Sequence, residues 1–309
     1  THLLLDSGAD VRAKSTAGFT PLTFAARLND VETINLLLAK GADLNAEAVD
    51  GTTVLQVAAL RGHVDLVEHL LNHGANPNAS KAGYTVLHWV AGNWDNATSI
   101  SFGRDGDELQ LMGGIPQGRK LELMQALLEH GADVNAVITK APPLGRLGAT
   151  GTAGTIIGGG PLTGATPFFI SSKGCDVEFM KFLLASGADP KIGTTQGITP
   201  LLGAAGIGYA IGESPGTPEE ALEAVKILAG LGNDINAVAK LGKGDQNAGQ
   251  TATGALLDET ARTLGVSVNP RFGEWSSGQF TVVPGPNTLS EPVLEAEAAG
   301  AVEIGRAHV

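Results

Sequence analysis

Apolar residues recur along the chain with a helical beat that stops and restarts. Val31, Ile34, Leu37 and Leu38 form one stripe, and Val64, Val67, Leu70 and Leu71 form the next. Leu121, Met124, Leu127 and Leu128 follow, then Val177, Met180, Leu183 and Leu184, then a shorter set of Leu222, Val225 and Leu228. Offsets of 3, 6 and 7 put each set on one face of a helix. A shorter segment precedes each stripe. Several of these segments carry an Ala-Ala pair (25–26, 58–59, 204–205), which lets helices approach closely. Thr20-Pro21-Leu22, Thr53-Val54-Leu55, Thr85-Val86-Leu87-His88, Thr166-Pro167-Phe168 and Thr199-Pro200-Leu201 open these segments. Proline at a first helical position gives up only an N–H with no partner inside the helix, and its fixed φ suits the start. The pattern therefore predicts pairs of helices, one short and one longer.

A second landmark keeps step with the first. Gly8-Ala9-Asp10, Gly41-Ala42-Asp43, Gly74-Ala75-Asn76, Gly131-Ala132-Asp133, Gly187-Ala188-Asp189 and Gly232-Asn233-Asp234 close the longer helices, and Asn-Ala follows at 45–46, 78–79, 135–136 and 236–237. Glycine suits that place because a helix commonly ends on a left-handed residue. The first two spacings are 33 residues; the later ones are 57, 56 and 45, which is 33 lengthened by 24, 23 and 12. Period and phrases together resemble the ankyrin-repeat family, whose unit is about 33 residues long and carries Thr-Pro-Leu-His. The resemblance covers residues 1–237 and implies an all-α solenoid of stacked helix-turn-helix units with β-hairpin fingers. The repeats fall at about 1–14 (partial), 15–47, 48–80, 81–137, 138–193 and 194–237, with insertions at 93–117, 138–163 and 209–218. Gly164-Ala165-Thr166-Pro167-Phe168, and the run Glu-Glu-Ala-Leu-Glu-Ala-Val-Lys at 219–226, resemble a bacterial set with interrupted repeats.

Neither end follows the repeat. Leu3, Leu4 and Leu5 belong to a longer helix whose shorter partner is missing, so the chain is expected to be a fragment that has lost a capping unit. Residues 238–309 are expected to be a non-repeat tail, either chimeric or disordered. Residues 266–284 of this tail resemble the carboxyl end of actinobacterial lipoproteins similar to chaperone-type prolyl isomerases, without an isomerase domain. The last six residues, Ile304-Gly305-Arg306-Ala307-His308-Val309, correspond to a translated sequencing adapter and carry no fold information.

Composition narrows the function. Hydrophobic residues at 43% exclude a wholly disordered chain; glycine, 43 in 309 residues, is about twice the usual share, an excess to which helix ends and a glycine-rich finger at 145–160 contribute. The net charge of −12 disfavours non-specific binding to nucleic acid or anionic membranes. No apolar run approaches the ~20 residues of a membrane span. Cys175 is the lone cysteine, which excludes an intrachain disulfide. It occupies the slot that Gly62 fills in a regular repeat.

Candidate chemistry is thin. His88 sits in the Thr-x-Leu-His slot and His63 starts a longer helix; both read as structural. His69 and His73 have the i, i+4 spacing that can seat a metal, but no third ligand stands at fixed spacing. The glycine-rich finger lacks the Gly-Lys-Ser/Thr ending of a phosphate loop. The run 104–108 (Arg-Asp-Gly-Asp-Glu) is too short for a calcium loop. No nucleophile–base arrangement emerges, so the expectation is no enzyme, no cofactor and no metal. The resemblance implies instead a monomeric scaffold that binds another protein, identity open, on its concave finger and inner-helix surface. Slots there hold Thr16, Ala17, Phe19, Arg27, Leu28, Val49, Asp50, Thr52, Leu60, Arg61, Lys81, Ala82 and Tyr84. Phe19, Tyr84 and Arg61 lead, because aromatics and arginine most often dominate binding energy. The alternative is a recognition arm of a larger enzyme or redox protein.

Overall fold

In the computed structural model the described residues are 1–92, 115–140, 162–206 and 217–238. The described residues all belong to one compact unit, Thr1–Ala252, and the remainder, Thr253–Val309, is set apart from it. That remainder lies outside the described residues, as do the greater parts of all three insertions.

The compact unit is built from helix pairs in chain order. They are α1 (His2–Asp6), α2 (Pro21–Arg27), α3 (Val31–Ala39), α4 (Val54–Leu60), α5 (Val64–Asn72) and α6 (Val86–Ala91). After these come α7 (Gln117–Glu129), α8 (Pro167–Lys173), α9 (Val177–Ala185), α10 (Pro200–Ala204) and α11 (Pro218–Gly230). Short first helices stack on one another, α2 on α4, α4 on α6, α6 on α8 and α8 on α10. Longer second helices form a second row, with α5 against α7 and α9 against α11. Each apolar stripe is buried against the first helix of its own unit and against adjacent copies, as expected of a solenoid. Leu37, Leu70 and Leu127 have at most 1% of their surface exposed. The last stripe slips. In α11 the buried positions are Ala221, Ala224 and Leu228, and Leu222 is largely exposed.

Every first helix starts on threonine. The hydroxyl oxygens of Thr20, Thr53, Thr166 and Thr199 accept the backbone N–H three residues on. Such a cap contributes about 1 kcal/mol. Three residues into α4 and α6, Gln56 and His88 return the favour by accepting the threonine's own N–H at 2.9 and 3.1 Å. Each side chain then reaches the next finger: Gln56 Nε2 donates to Tyr84 O at 2.8 Å, and His88 Nε2 donates to Ala136 O at 2.9 Å. One side chain thus closes a cap and joins two repeats.

The Asn-Ala phrase has its own role. Asn45 Nδ2 donates to Gly74 O at 3.2 Å, while Asn45 Oδ1 accepts from Asn76 N at 2.8 Å. Asn78 makes the same pair of bonds to Gly131 O and Asp133 N, and Asn135 to Gly187 O and Asp189 N. The result is a ladder running from one helix end to the next. Arg12 fills the first rung, donating from Nε to Gly41 O at 3.2 Å.

The fingers are tighter than the expected β-hairpins. Among the described residues no strand forms. Two backbone bonds close each tip: one crosses it (Ser15 N to Phe19 O, Ala48 N to Thr52 O, Thr194 N to Ile198 O), and a turn bond lies inside it (Gly18 N to Ser15 O, Gly51 N to Ala48 O, Gly197 N to Thr194 O). Only three residues separate the crossing pair, which is too few for a ladder of cross-strand bonds. Neighbouring tips also touch, with Val49 N donating to Ala17 O at 3.0 Å and Thr195 N to Thr163 O at 2.8 Å.

Cys175 lies in the left-handed region at φ 55°, in the slot where Gly62 has φ 70°. Its thiol is buried and donates weakly to Ala204 O at 3.6 Å. Asn29 takes the same slot at φ 56°, a conformation asparagine tolerates better than most residues.

Candidate functional site

Finger tips and first helices share one face, and its exposure changes along the stack. On α2, Phe24 is 46% exposed and Leu28, just past the helix, is 77% exposed. Phe19 on the adjoining finger meets Phe24 edge-on, ring centres 6.2 Å apart. Val49 at the next tip is 77% exposed. Aromatic pairs of this kind are rigid, so they order little on binding.

Arg27 and Arg61, at the ends of α2 and α4, are half-buried and close enough to feel one another. Burial first, and then the charge of Arg27, lower the pKa of the Arg61 guanidinium. His63 Nε2 donates to Arg27 O at 3.3 Å and ties the two helix ends together. Leu60 and Thr52 are half-buried nearby in sequence, and Thr16, Ala17, Asp50 and Lys81 are exposed on the tips. Asp50 Oδ1 accepts the Thr52 N–H at 2.9 Å and fixes its tip. Lys81 pairs with Glu47 at 3.0 Å across neighbouring fingers.

Tyr84 and Ala82 are placed differently from the expectation. Tyr84 is 3% exposed and Ala82 is buried, so neither presents a free side chain. Burial, with Asp50 adding a little, pushes the Tyr84 phenol above its ordinary range. Their finger is closely packed. A Cβ on Gly83 would lie 2.3 Å from Cβ of Lys140, on the following finger. Phe24 was missed by the sequence reading, although its position just before Ala25-Ala26 sets it off from the packed small residues.

Farther along, the row closes. Trp89 and Ile170 stand where Phe24 stands in its own repeat, and they are 4% and 7% exposed. Lys173 at the end of α8 is also buried, and burial lowers its pKa to about 7. Lys120 is buried too, donating to Gly92 O at 3.0 Å just past α6.

His88 has a structural environment. It is wholly buried between its threonine cap and the next finger, and burial lowers its pKa to about 4. No cluster of three or more His, Cys, Asp or Glu able to hold a metal occurs among the described residues. No helix there is long and apolar enough to cross a membrane. The glycine-rich finger at 145–160 and the acidic run at 104–108 lie outside the described residues.

Stacked helix pairs, each burying its stripe against the next copy, define an all-α repeat solenoid. Residues 17–48 match the family model for the ankyrin repeat, and residues 42–100 match the model for ankyrin repeats in three copies. Residues 17–100 are therefore ankyrin repeats. No curated protein matches it significantly. Ankyrin repeats are in general protein–protein interaction modules, and they are typically not catalytic.

Proposed function

We propose that the chain is a scaffold that holds a partner protein on the finger and first-helix face of its second and third repeats, with no chemistry of its own. The observation that carries this reading is the apolar row of Phe24, Leu28 and Val49, left in solvent next to Phe19. Exposed aromatic and aliphatic groups grouped on a rigid support are what an interface core requires. Arg27 and Arg61 beside them add planar donors, which suit carboxylates or backbone carbonyls of the bound chain. Those residues belong to the part of the chain whose period stays at 33. Thr16, Ala17, Asp50, Thr52, Leu60 and Lys81 form the rim; Ala82 and Tyr84 support it from within.

The test is site-specific photo-crosslinking from two positions of the full chain. A photoreactive residue at Leu28 is expected to capture a discrete partner, and one at Glu178, exposed on α9, is not. The purified partner should then bind a Phe24→Ser, Leu28→Ser double variant at least about tenfold more weakly, the loss of one or two anchor residues. Unchanged affinity in that variant overturns the reading.

A further inference from the structure

Away from that face, on the row of second helices, two histidines have hydrogen bonds that fix where their protons sit. His69 lies in α5 and His73 caps its end; their ring centres are 4.3 Å apart. His69 Nε2 is 2.7 Å from Oδ1 of Asn35 on α3. His73 Nδ1 is 2.8 Å from the backbone carbonyl oxygen of His69. Both oxygens can only accept, so each ring keeps its proton on the bonded nitrogen. In the neutral pair the lone pairs therefore fall on His69 Nδ1 and His73 Nε2. Metal-binding imidazoles are oriented in this way, with the other N–H donated to an oxygen.

We propose that His69 and His73 form a two-nitrogen chelate for a borderline divalent ion of the copper, nickel and zinc group, oriented by Asn35. Imidazole nitrogen suits these ions, and they bind it at about 2.0–2.1 Å. The spacing of one helical turn brings both rings to one side of the helix. Asp65, a turn earlier, holds Arg119 at 2.7 Å, so its carboxylate is committed elsewhere. His73 is exposed and His69 half-buried. The ion's remaining positions thus face solvent, open to water or to a donor group of a bound protein. The net charge of −12 favours cations near the surface.

The experiment is calorimetric titration of the full chain with nickel and with zinc at pH 7.5, alongside His69→Gln, His73→Gln and Asn35→Ala. One ion per chain is expected, with affinity at least about tenfold weaker in either histidine variant. Asn35→Ala should weaken it by about tenfold with the far-ultraviolet circular dichroism unchanged. Copper bound to the unsubstituted chain should show two coordinated nitrogens by electron paramagnetic resonance, and one in His73→Gln. Histidine variants that bind like the unsubstituted chain overturn the site. So does a lack of saturable binding below millimolar metal. Unchanged affinity in Asn35→Ala overturns the orienting role.

Discussion

Phe24 and Trp89 occupy the same place in their repeats, the fourth residue of a short helix, yet one is 46% exposed and the other 4%. The second and third repeats keep the 33-residue period and present an open row of Phe24, Leu28 and Val49. Beyond them the spacing of the Gly-Ala-Asp phrases grows from 33 to 57 and 56, and the row of Trp89, Ile170 and Lys173 is buried. A repeat's fold and its availability for binding are therefore separate properties. Threonine caps, apolar stripes and ladder rungs recur in both regions, while the outward-facing slots differ in exposure.

Substitution should separate the two regions most strongly at this position. Trp89→Ala is expected to cost about 3–5 kcal/mol, as for a large buried aromatic, whereas Phe24→Ala should cost about 1 kcal/mol or less. Urea denaturation of both variants measures this, and equal losses would break the comparison. Acid is the next lever. His88 in the fourth repeat and Gln56 in the third fill one slot, but only His88 titrates. Its pKa is about 4 in the folded protein against about 6.5 unfolded. Between those values the unfolded chain binds the extra proton, so stability falls as pH drops from about 6.5 to about 4, by roughly 3 kcal/mol. His88→Gln, copying Gln56, should remove most of that slope in denaturation curves taken at pH 7 and pH 4.5. The smallest effect separates two glycines. Gly83 has φ 104° and a Cβ there would meet Lys140, while Gly74 has φ 90° with nothing within 4 Å. Gly83→Ala should cost about 2 kcal/mol and Gly74→Ala about 1 kcal/mol, since only the first adds a clash to left-handed strain. Thermal melts resolve the difference.

The repeat was legible in the sequence because its cues are local and recur. Threonine before proline, a stripe at helical offsets and Gly-Ala-Asp each reflect a short-range requirement, and Leu37, Leu70 and Leu127 are buried as their spacing implies. Cys175 in a glycine slot was readable for the same reason, and the structure gives it a positive φ. Exposure of a given slot was not readable. Phe19, Thr52 and Tyr84 are equivalent by position, but Tyr84 is buried while the other two are half-open. What covers a slot lies across from it in space, and a sequence window does not contain that information. The slipped stripe of α11 escaped for a related reason. Ala221 and Ala224 are too small to stand out beside Leu222, although they are the residues that face inward.

The asparagine ladder spans very unequal lengths of chain with one geometry. Asn45 reaches a carbonyl 29 positions away, and Asn78 and Asn135 reach theirs across 53 and 52. A rung senses only the end of the next long helix, whatever length of polypeptide lies between. Additional sequence can therefore be spliced between rungs without disturbing the spine. Such a molecule can acquire new exterior loops as modular cargo while its load-carrying frame stays fixed.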